Sequence, residues 1–124
     1  MTKILIVEDD KFLASAYKLK FQKTDLEVKI ASDGEEALEL VKTYKPDAIL
    51  LDLIIPKLDG FSVLEKLQSD ATFKKIPVII TSNLGQDADI KKGMALGAKD
   101  YFIKSNISLE EIVNRVIKLI DGTK

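Results

Sequence analysis

The sequence predicts an α/β fold in which a doubly wound, five-stranded parallel sheet is covered by helices on both faces. Five short apolar runs rich in β-branched residues alternate with segments whose apolar residues recur at helical spacing. The runs are almost continuously apolar, which is typical of parallel strands buried on both sides. Right-handed crossovers with one reversal of strand order complete the double winding. The predicted strands are Ile4–Val7, Leu26–Ala31, Ala48–Leu51, Val78–Ile80 and Tyr101–Ile103.

The first two helices are predicted from apolar spacing and from capping residues. Asp10 is the expected N-cap of the first helix, and Ser32 or Asp33 opens the second, which ends before Pro46. The apolar positions that define them are Phe12, Leu13, Ala16, Tyr17 and Leu19, with Lys20 beside them, and then Ala37, Leu38, Leu40 and Val41.

The sequence predicts the last three helices with unequal clarity. The third carries Phe61, Val63, Leu64 and Leu67, and the weaker fourth carries Ile90, Met94 and Leu96 before Gly97. For the fifth, Ser108 and Glu111 form a predicted capping box, and Gly122 is expected just past the helix end. The strand order 2-1-3-4-5, as in flavodoxin-like sheets, is the common arrangement for five such units.

Composition excludes several classes of function. The 124 residues fit one domain, residues 1–124, and contain neither cysteine nor histidine, so disulfides, thiolate or imidazole metal sites and histidine-based catalysis are excluded. The formal charge of −1 argues against direct nucleic-acid binding. We see no signal peptide and no apolar run long enough for a bilayer, so the sequence predicts a cytoplasmic protein without membrane contact.

Polar residues follow four of the five predicted strands. Glu8, Asp9 and Asp10 follow the first and Asp52 the third, while Thr81-Ser82-Asn83 follows the fourth and Lys104 the fifth. Ligands of such sheets bind beyond the carboxyl ends of the strands, at the point where strand order reverses. We therefore expect one site at this edge of the sheet.

Three clustered carboxylates need a cation, since like charges oppose one another's ionisation. An all-oxygen ligand set suits Mg²⁺, with Mn²⁺ also possible. An aspartate beside such an ion can act as the nucleophile in phosphoryl transfer, and Lys104 and Ser82 are groups that can hold phosphoryl oxygens. This chemistry depends on positioning and charge, and it needs no histidine.

These residues closely resemble the motifs of response-regulator receiver domains, in order along essentially the whole chain. The most specific part is the Asp-x-x-x-Pro-x-x-Asp-Gly pattern that begins at Asp52. The matching segments are Val7–Asp10, Leu51–Gly60, Pro77–Ser82 and Gly97–Lys104.

The resemblance implies a role for each matching residue. Asp52 is the phosphoacceptor, Asp9 a direct metal ligand and Glu8 a ligand acting through water. The backbone carbonyl of Ile54 is the third protein ligand, and Lys104 binds phosphate. Ser82 is the switch hydroxyl and Tyr101 the switch aromatic, although Tyr101 could simply pack as a strand aromatic. The partners implied are a histidine kinase or phosphotransfer protein and a downstream protein or output domain.

The chain departs from the family pattern after the lysine and at the switch hydroxyl. Ser105 stands where proline is usual, and a cis bond before a non-proline residue costs about 3–4 kcal/mol, so we expect a trans peptide there. Serine at position 82 replaces the commoner threonine and predicts looser coupling to Tyr101. Ile54 and Leu84, each two residues past a site residue, cannot orient a water molecule, which predicts slow self-dephosphorylation.

Two other functions fit the predicted fold less well. A phosphohydrolase of the haloacid dehalogenase kind would want a second acid two residues after its nucleophile, where this chain has Ile54. A flavodoxin-like cofactor binder would want Ser, Thr and Gly in its first loop, where this chain has Glu8-Asp9-Asp10. A phosphorylation-controlled switch that is not itself an enzyme is the favoured hypothesis.

Overall fold

A computed structural model describes residues 2–122 and confirms the predicted sheet. Five parallel strands lie in the order β2-β1-β3-β4-β5, and each alternates with a helix. The strands are β1 (Lys3–Val7), β2 (Glu27–Ala31), β3 (Ala48–Asp52), β4 (Val78–Ser82) and β5 (Asp100–Ile103). The helices are α1 (Lys11–Gln22), α2 (Gly34–Tyr44), α3 (Gly60–Gln68), α4 (Asp87–Ala95) and α5 (Leu109–Gly122), with a short 3₁₀ turn at Lys104–Asn106.

Two apolar clusters cover the two faces of the sheet. One joins α1 and α5 to alternate strand residues, and in it Tyr17 of α1 packs with Leu50 of β3 and Ile79 of β4. The other lies beneath α2 and α3 and takes up the intervening residues, such as Leu51 and Ile80. Because side chains alternate along a strand, the central strands must be apolar on both faces, and all the residues of β3 and β4 are buried.

The predicted caps of the first two helices are confirmed, with Asp33 rather than Ser32 opening α2, and Asp59 caps α3 in the same way. Asp10 Oδ1 accepts from Phe12 N and Leu13 N at 3.0 and 3.1 Å. Asp33 accepts from Glu36 N at 2.8 Å. Asp59 accepts from both the backbone N and the hydroxyl of Ser62 at 3.0 Å. These carboxylates satisfy backbone donors that the first helical turn leaves free.

The predicted apolar face of α1 was wrong in part. Phe12 is 91% and Leu19 64% exposed, whereas Ala14, Tyr17 and Phe21 are the buried residues of this helix. The spacing of these three residues places one stripe on the sheet, and Phe12 and Leu19 lie well away from that stripe.

Several predicted element ends shift by a residue or two. Asp52 and Ser82 are the last residues of their strands rather than the first loop residues, because the ladder still pairs Asp52 with Thr81 and Ser82 with Ile103. Gly122, expected past the end of α5, lies within it. Gly97, expected to close α4, follows it with φ of 101°, a conformation that glycine adopts without strain.

The fifth helix shows half of its predicted capping box. Ser108 Oγ accepts from Glu111 N at 3.1 Å, and the Glu111 carboxylate lies 3.7 Å from the Arg115 guanidinium one turn along the helix. Among residues 2–122, no helix combines the length and apolarity needed to cross a bilayer.

Candidate functional site

The carboxyl ends of β1, β3 and β5 bring two buried carboxylates against one ammonium. Glu8 is 3% and Asp52 5% exposed. Lys104 Nζ donates to Glu8 Oε1 at 2.6 Å and to Asp52 Oδ2 at 2.9 Å. The partners lie 96 and 52 residues from Lys104 in sequence, so only the parallel sheet brings these three groups together.

A third carboxylate completes an acidic cluster on the outer side of this pair. Carboxylate oxygens of Glu8, Asp9 and Asp52 all lie within 4.8 Å of one another, and Asp9 is exposed. Oxygen ligands at this separation, open to water on one side, fit a hard divalent cation such as Mg²⁺ or Mn²⁺. Asp10 is not part of the cluster, because its carboxylate caps α1, while its N–H donates to Glu8 Oε2 at 3.2 Å.

Burial and charge oppose each other at Glu8 and Lys104. Burial raises the pKa of Glu8, and the nearby Asp52 charge raises it further, against the lowering effect of the Lys104 hydrogen bond. Burial by itself lowers the pKa of Lys104, but its bonds to Glu8 and Asp52 outweigh that effect and raise it. The lysine therefore remains charged at neutral pH, and a charged ammonium is a group that can bind an anion.

The loop after Asp52 is held against the sheet and against α2. Ile54 N donates to Asp52 Oδ1 at 3.2 Å, while the Ile54 side chain is 60% exposed. Gly34 N donates to Pro56 O at 3.2 Å, and a Cβ at Gly34 would lie 2.0 Å from the Leu58 carbonyl oxygen. That the Ile54 carbonyl acts as a metal ligand stays a prediction.

The predicted switch residues lie on adjoining strands beside the site. Ser82 is completely buried, and its hydroxyl accepts from Leu84 N at 3.3 Å. The Tyr101 hydroxyl donates to the Leu84 carbonyl. A Cβ at Gly93 of α4 would lie 3.2 Å from the Tyr101 ring, so the tyrosine both packs on α4 and ties down the β4–α4 loop. Sequence reasoning missed this link through Leu84, because it is made by a backbone carbonyl.

The loop after Lys104 has the backbone expected from Ser105. No peptide bond is cis among the described residues, so the Lys104–Ser105 bond is trans. The chain continues into the 3₁₀ turn Lys104–Asn106 before α5 begins.

Comparison with known proteins agrees with this arrangement. The family model described as "Response regulator receiver domain" matches residues 4–117. The DNA-binding transcriptional regulator RpaA of Synechocystis is 36% identical over 99% of this chain, and PhoP of Bacillus subtilis is 36% identical over 82% of it. The chain spans about half the length of these curated relatives, 51% and 42% respectively.

Solved structures extend the likeness to the whole fold. The receiver domain of the Francisella response regulator 1452 superposes with a TM-score of 0.91 at 36% identity, with each chain covered completely. The Mn²⁺-bound form of the response regulator Rcp1 superposes with a TM-score of 0.84 at 28% identity, covering 94% of this chain and 91% of that one. The haloacid dehalogenase alternative finds no support in these comparisons. With its motifs at the matching strand ends of the same sheet, the chain belongs to the response regulator receiver domain family.

Proposed function

We propose that Asp52 is the phosphoacceptor of a signalling switch formed by residues 1–124. The observation that carries this proposal is the position of Asp52, nearly buried, 2.9 Å from the Lys104 ammonium and beside two further carboxylates. A carboxylate oxygen of Asp52 would attack phosphorus and form a new P–O bond. The P–N bond of a phosphohistidine, or the acyl P–O bond of a small phosphodonor such as acetyl phosphate, would break, and the leaving group would keep the bonding electrons.

Asp9 and Asp52 would hold Mg²⁺ or Mn²⁺, with Glu8 acting through water and the Ile54 carbonyl as a further ligand. When bound, the ion supplies positive charge beside the phosphoryl oxygens. Lys104, 2.9 Å from Asp52, supplies a second positive charge. Ser82 directly follows Thr81, the residue that pairs with Asp52 in the sheet, so its hydroxyl is near enough to be a further phosphoryl ligand. The chain thereby assists its own phosphorylation and dephosphorylation without acting on another substrate.

Phosphorylation would change the conformation of the face formed by α4, β5 and α5. Tyr101 lies in this face and contacts the β4–α4 loop through Leu84, while Ser82 Oγ is bonded to the same residue. If Ser82 turns toward a phosphoryl group on Asp52, its bond with Leu84 N breaks and the loop that holds Tyr101 is released. We propose that a histidine kinase or phosphotransfer protein supplies the phosphoryl group. A downstream protein or an output domain would bind the face in its changed conformation.

Intact-mass measurement after incubation with Mg²⁺ and acetyl phosphate tests the proposal. We expect one phosphoryl group on the parent protein and none on Asp52→Asn. Asp25→Asn, which removes an exposed carboxylate elsewhere, is the matched control and should be labelled like the parent. Absence of label on the parent, or full labelling of Asp52→Asn, would refute the assignment.

A further inference from the structure

Tyr17 of α1 places a buried hydroxyl without a partner beneath the phosphorylation site. Its side chain is 1% exposed, and among the described residues only Tyr17 and Tyr44 have a buried side-chain polar atom lacking a hydrogen bond. Burying a hydroxyl without a partner is unfavourable compared with phenylalanine, which has the same ring and no polar atom. The hydroxyl of Tyr17 therefore needs an explanation that the resting structure does not supply.

The position of Tyr17 follows from the alternation of side chains along the strands. Tyr17 packs with Leu50 of β3 and Ile79 of β4 on the face covered by α1 and α5. Asp52 and Thr81 stand two residues farther along the same strands and point to the same face. Tyr17 thus lies one layer below the site residues, on their buried side.

The electrostatic surroundings of the hydroxyl agree with this placement. Burial raises the pKa of Tyr17, the Lys104 charge and the nearby Thr81 side chain lower it, and the charges of Glu8 and Asp52 raise it. The approach of Thr81 does not reach hydrogen-bond geometry, so the Tyr17 hydroxyl is still unsatisfied. Each of these residues belongs to the site or to the strand position beside Asp52, so the phenol lies within the field of the site.

One oxygen of Glu8, Oε1, is the acceptor that would lose its donor on phosphorylation. Its Oε2 accepts from Asp10 N, and its Oε1 accepts from Lys104 at 2.6 Å. If Lys104 turns to the phosphoryl oxygens, Oε1 stays buried and loses this donor, which is costly for a charged group. The ion-bound water of the proposed metal site would donate to the other oxygen, Oε2, and would not replace Lys104 at Oε1. One buried acceptor then lacks a donor, and one buried donor on the same face of the sheet lacks an acceptor.

We propose that Tyr17 is a positioning residue whose hydroxyl donates to Glu8 when Lys104 moves to the phosphoryl group. This inference rests on the proposed function, since it requires the phosphorylated state. Tyr17 touches no phosphoryl oxygen and acts only through Glu8. Its hydroxyl is unsatisfied in the resting protein and satisfied in the phosphorylated one, so it favours the phosphorylated state.

The test uses Tyr17→Phe, with Tyr44→Phe as the matched control. Tyr44 also carries a buried hydroxyl without a partner, but it lies at the end of α2, where its backbone carbonyl accepts from Lys3 at the opposite end of β1. The probe is beryllium trifluoride with Mg²⁺, an inert analogue of the phosphoryl group whose binding is measured at equilibrium. We expect Tyr17→Phe to bind the analogue about tenfold more weakly, since a hydrogen bond to a charged acceptor is lost only in the bound state. Tyr44→Phe should bind it like the parent.

Thermal unfolding separates positioning from a structural effect. Without the analogue and without Mg²⁺, Tyr17→Phe should melt at the parent's temperature or above it, because an unsatisfied hydroxyl has been removed. With both present, it should melt below the parent. A merely structural role of Tyr17 would lower the melting temperature equally in both conditions, and that result would overturn the inference.

Isotope-edited NMR gives a readout that does not depend on the variant's affinity. The Cζ resonance of Tyr17 should shift when the analogue binds to the parent protein, while that of Tyr44 should not. If the parent binds the analogue but the Tyr17 signal and the Tyr17→Phe affinity are unchanged, the inference is wrong and the proposed function stands. If the parent binds no analogue and takes no phosphoryl group, the proposed function itself fails.

Discussion

Lys104 sets the charge balance of the site at the scale of single residues. Three carboxylates, those of Glu8, Asp9 and Asp52, and one ammonium add up to a formal charge of −2. A divalent cation cancels that charge, and an incoming phosphoryl group adds negative charge that Lys104 can meet if it leaves Glu8. On the proposed function, the ammonium would act as a counter-ion that exchanges partners, rather than as a fixed structural link.

The side chains of Ile54 and Leu84, which lie beside the site, should determine how long a phosphoryl group stays on Asp52. The Ile54 side chain is 60% exposed next to Asp52, and Leu84 is half-buried beside Ser82. Neither side chain can hold an attacking water molecule by hydrogen bonding, so we expect slow decay in the parent protein. Replacing both, as in Ile54→Asn with Leu84→Gln, should speed the loss of the phosphoryl group by about tenfold or more, the scale of effect of a positioned group.

The decay is followed by intact mass after acetyl phosphate has been removed. Leu19→Gln, which makes an exposed apolar residue polar on the outer side of α1, is the control and should decay like the parent. An unchanged decay rate in the double variant would contradict this explanation of lifetime.

At the scale of elements, the connection between β3 and α3 is fixed at both ends. Asp52 ends the strand, and Asp59 caps the helix that follows. Between them, Lys57 adopts a φ of 68° and lies 3.6 Å from Asp33, the N-cap of α2. A positive φ is unfavourable for a residue with a side chain, so the contacts with α2 hold this loop in place beside Asp52.

The Asp59 cap should contribute to stability in a pH-dependent way. Hydrogen bonds from Ser62 lower the pKa of Asp59 below its usual 3.8. Because its folded pKa is lower than its unfolded one, the charged cap stabilises the fold above pH 3.8, and this contribution is lost as the pH falls through the folded value. At pH 7 we expect Asp59→Ala to lower the free energy of unfolding by about 1 kcal/mol.

Urea unfolding of the parent and Asp59→Ala at a series of pH values measures this difference. The gap between the two proteins should narrow below pH 3.8. Asp59→Asn is the control, since asparagine caps a helix about as well without titrating. It should therefore be more stable than Asp59→Ala by about 1 kcal/mol at every pH in the series. A gap between parent and Asp59→Ala that stays constant with pH would show that the carboxylate charge contributes nothing.

At the scale of the whole molecule, the strand order and the clustering of Glu8, Asp52 and Lys104 could be predicted from the sequence, because both follow from the repeated alternation of strands and helices. Alternating apolar runs and helical segments predicted the order, and the order places the carboxyl ends of the central strands together. The spacing within α1 could not show that Phe12 faces outward, since that depends on how the helix is rotated on the sheet. The environment of Tyr17 was likewise hidden, because it depends on packing between α1, β3 and β4.

The resting fold should gain stability from Mg²⁺ through the acidic cluster. An ion that binds only the folded chain adds about 2.7 kcal/mol of stability at a concentration one hundred times its dissociation constant. Asp9→Asn should remove most of this gain, because Asp9 is the exposed carboxylate of the cluster. Within residues 2–122 it forms no ion pair, whereas Lys104 already neutralises part of the charge of Glu8 and Asp52. Asp10→Asn should keep the gain, since the Asp10 side chain caps α1 and asparagine caps equally well. Melting temperatures of the three proteins, with and without Mg²⁺, measure the effect.

Equal gains in melting temperature for the parent and for Asp9→Asn would place the ion outside this cluster. Loss of the gain in Asp10→Asn would mean that the α1 cap, and not the ligand set alone, shapes the site.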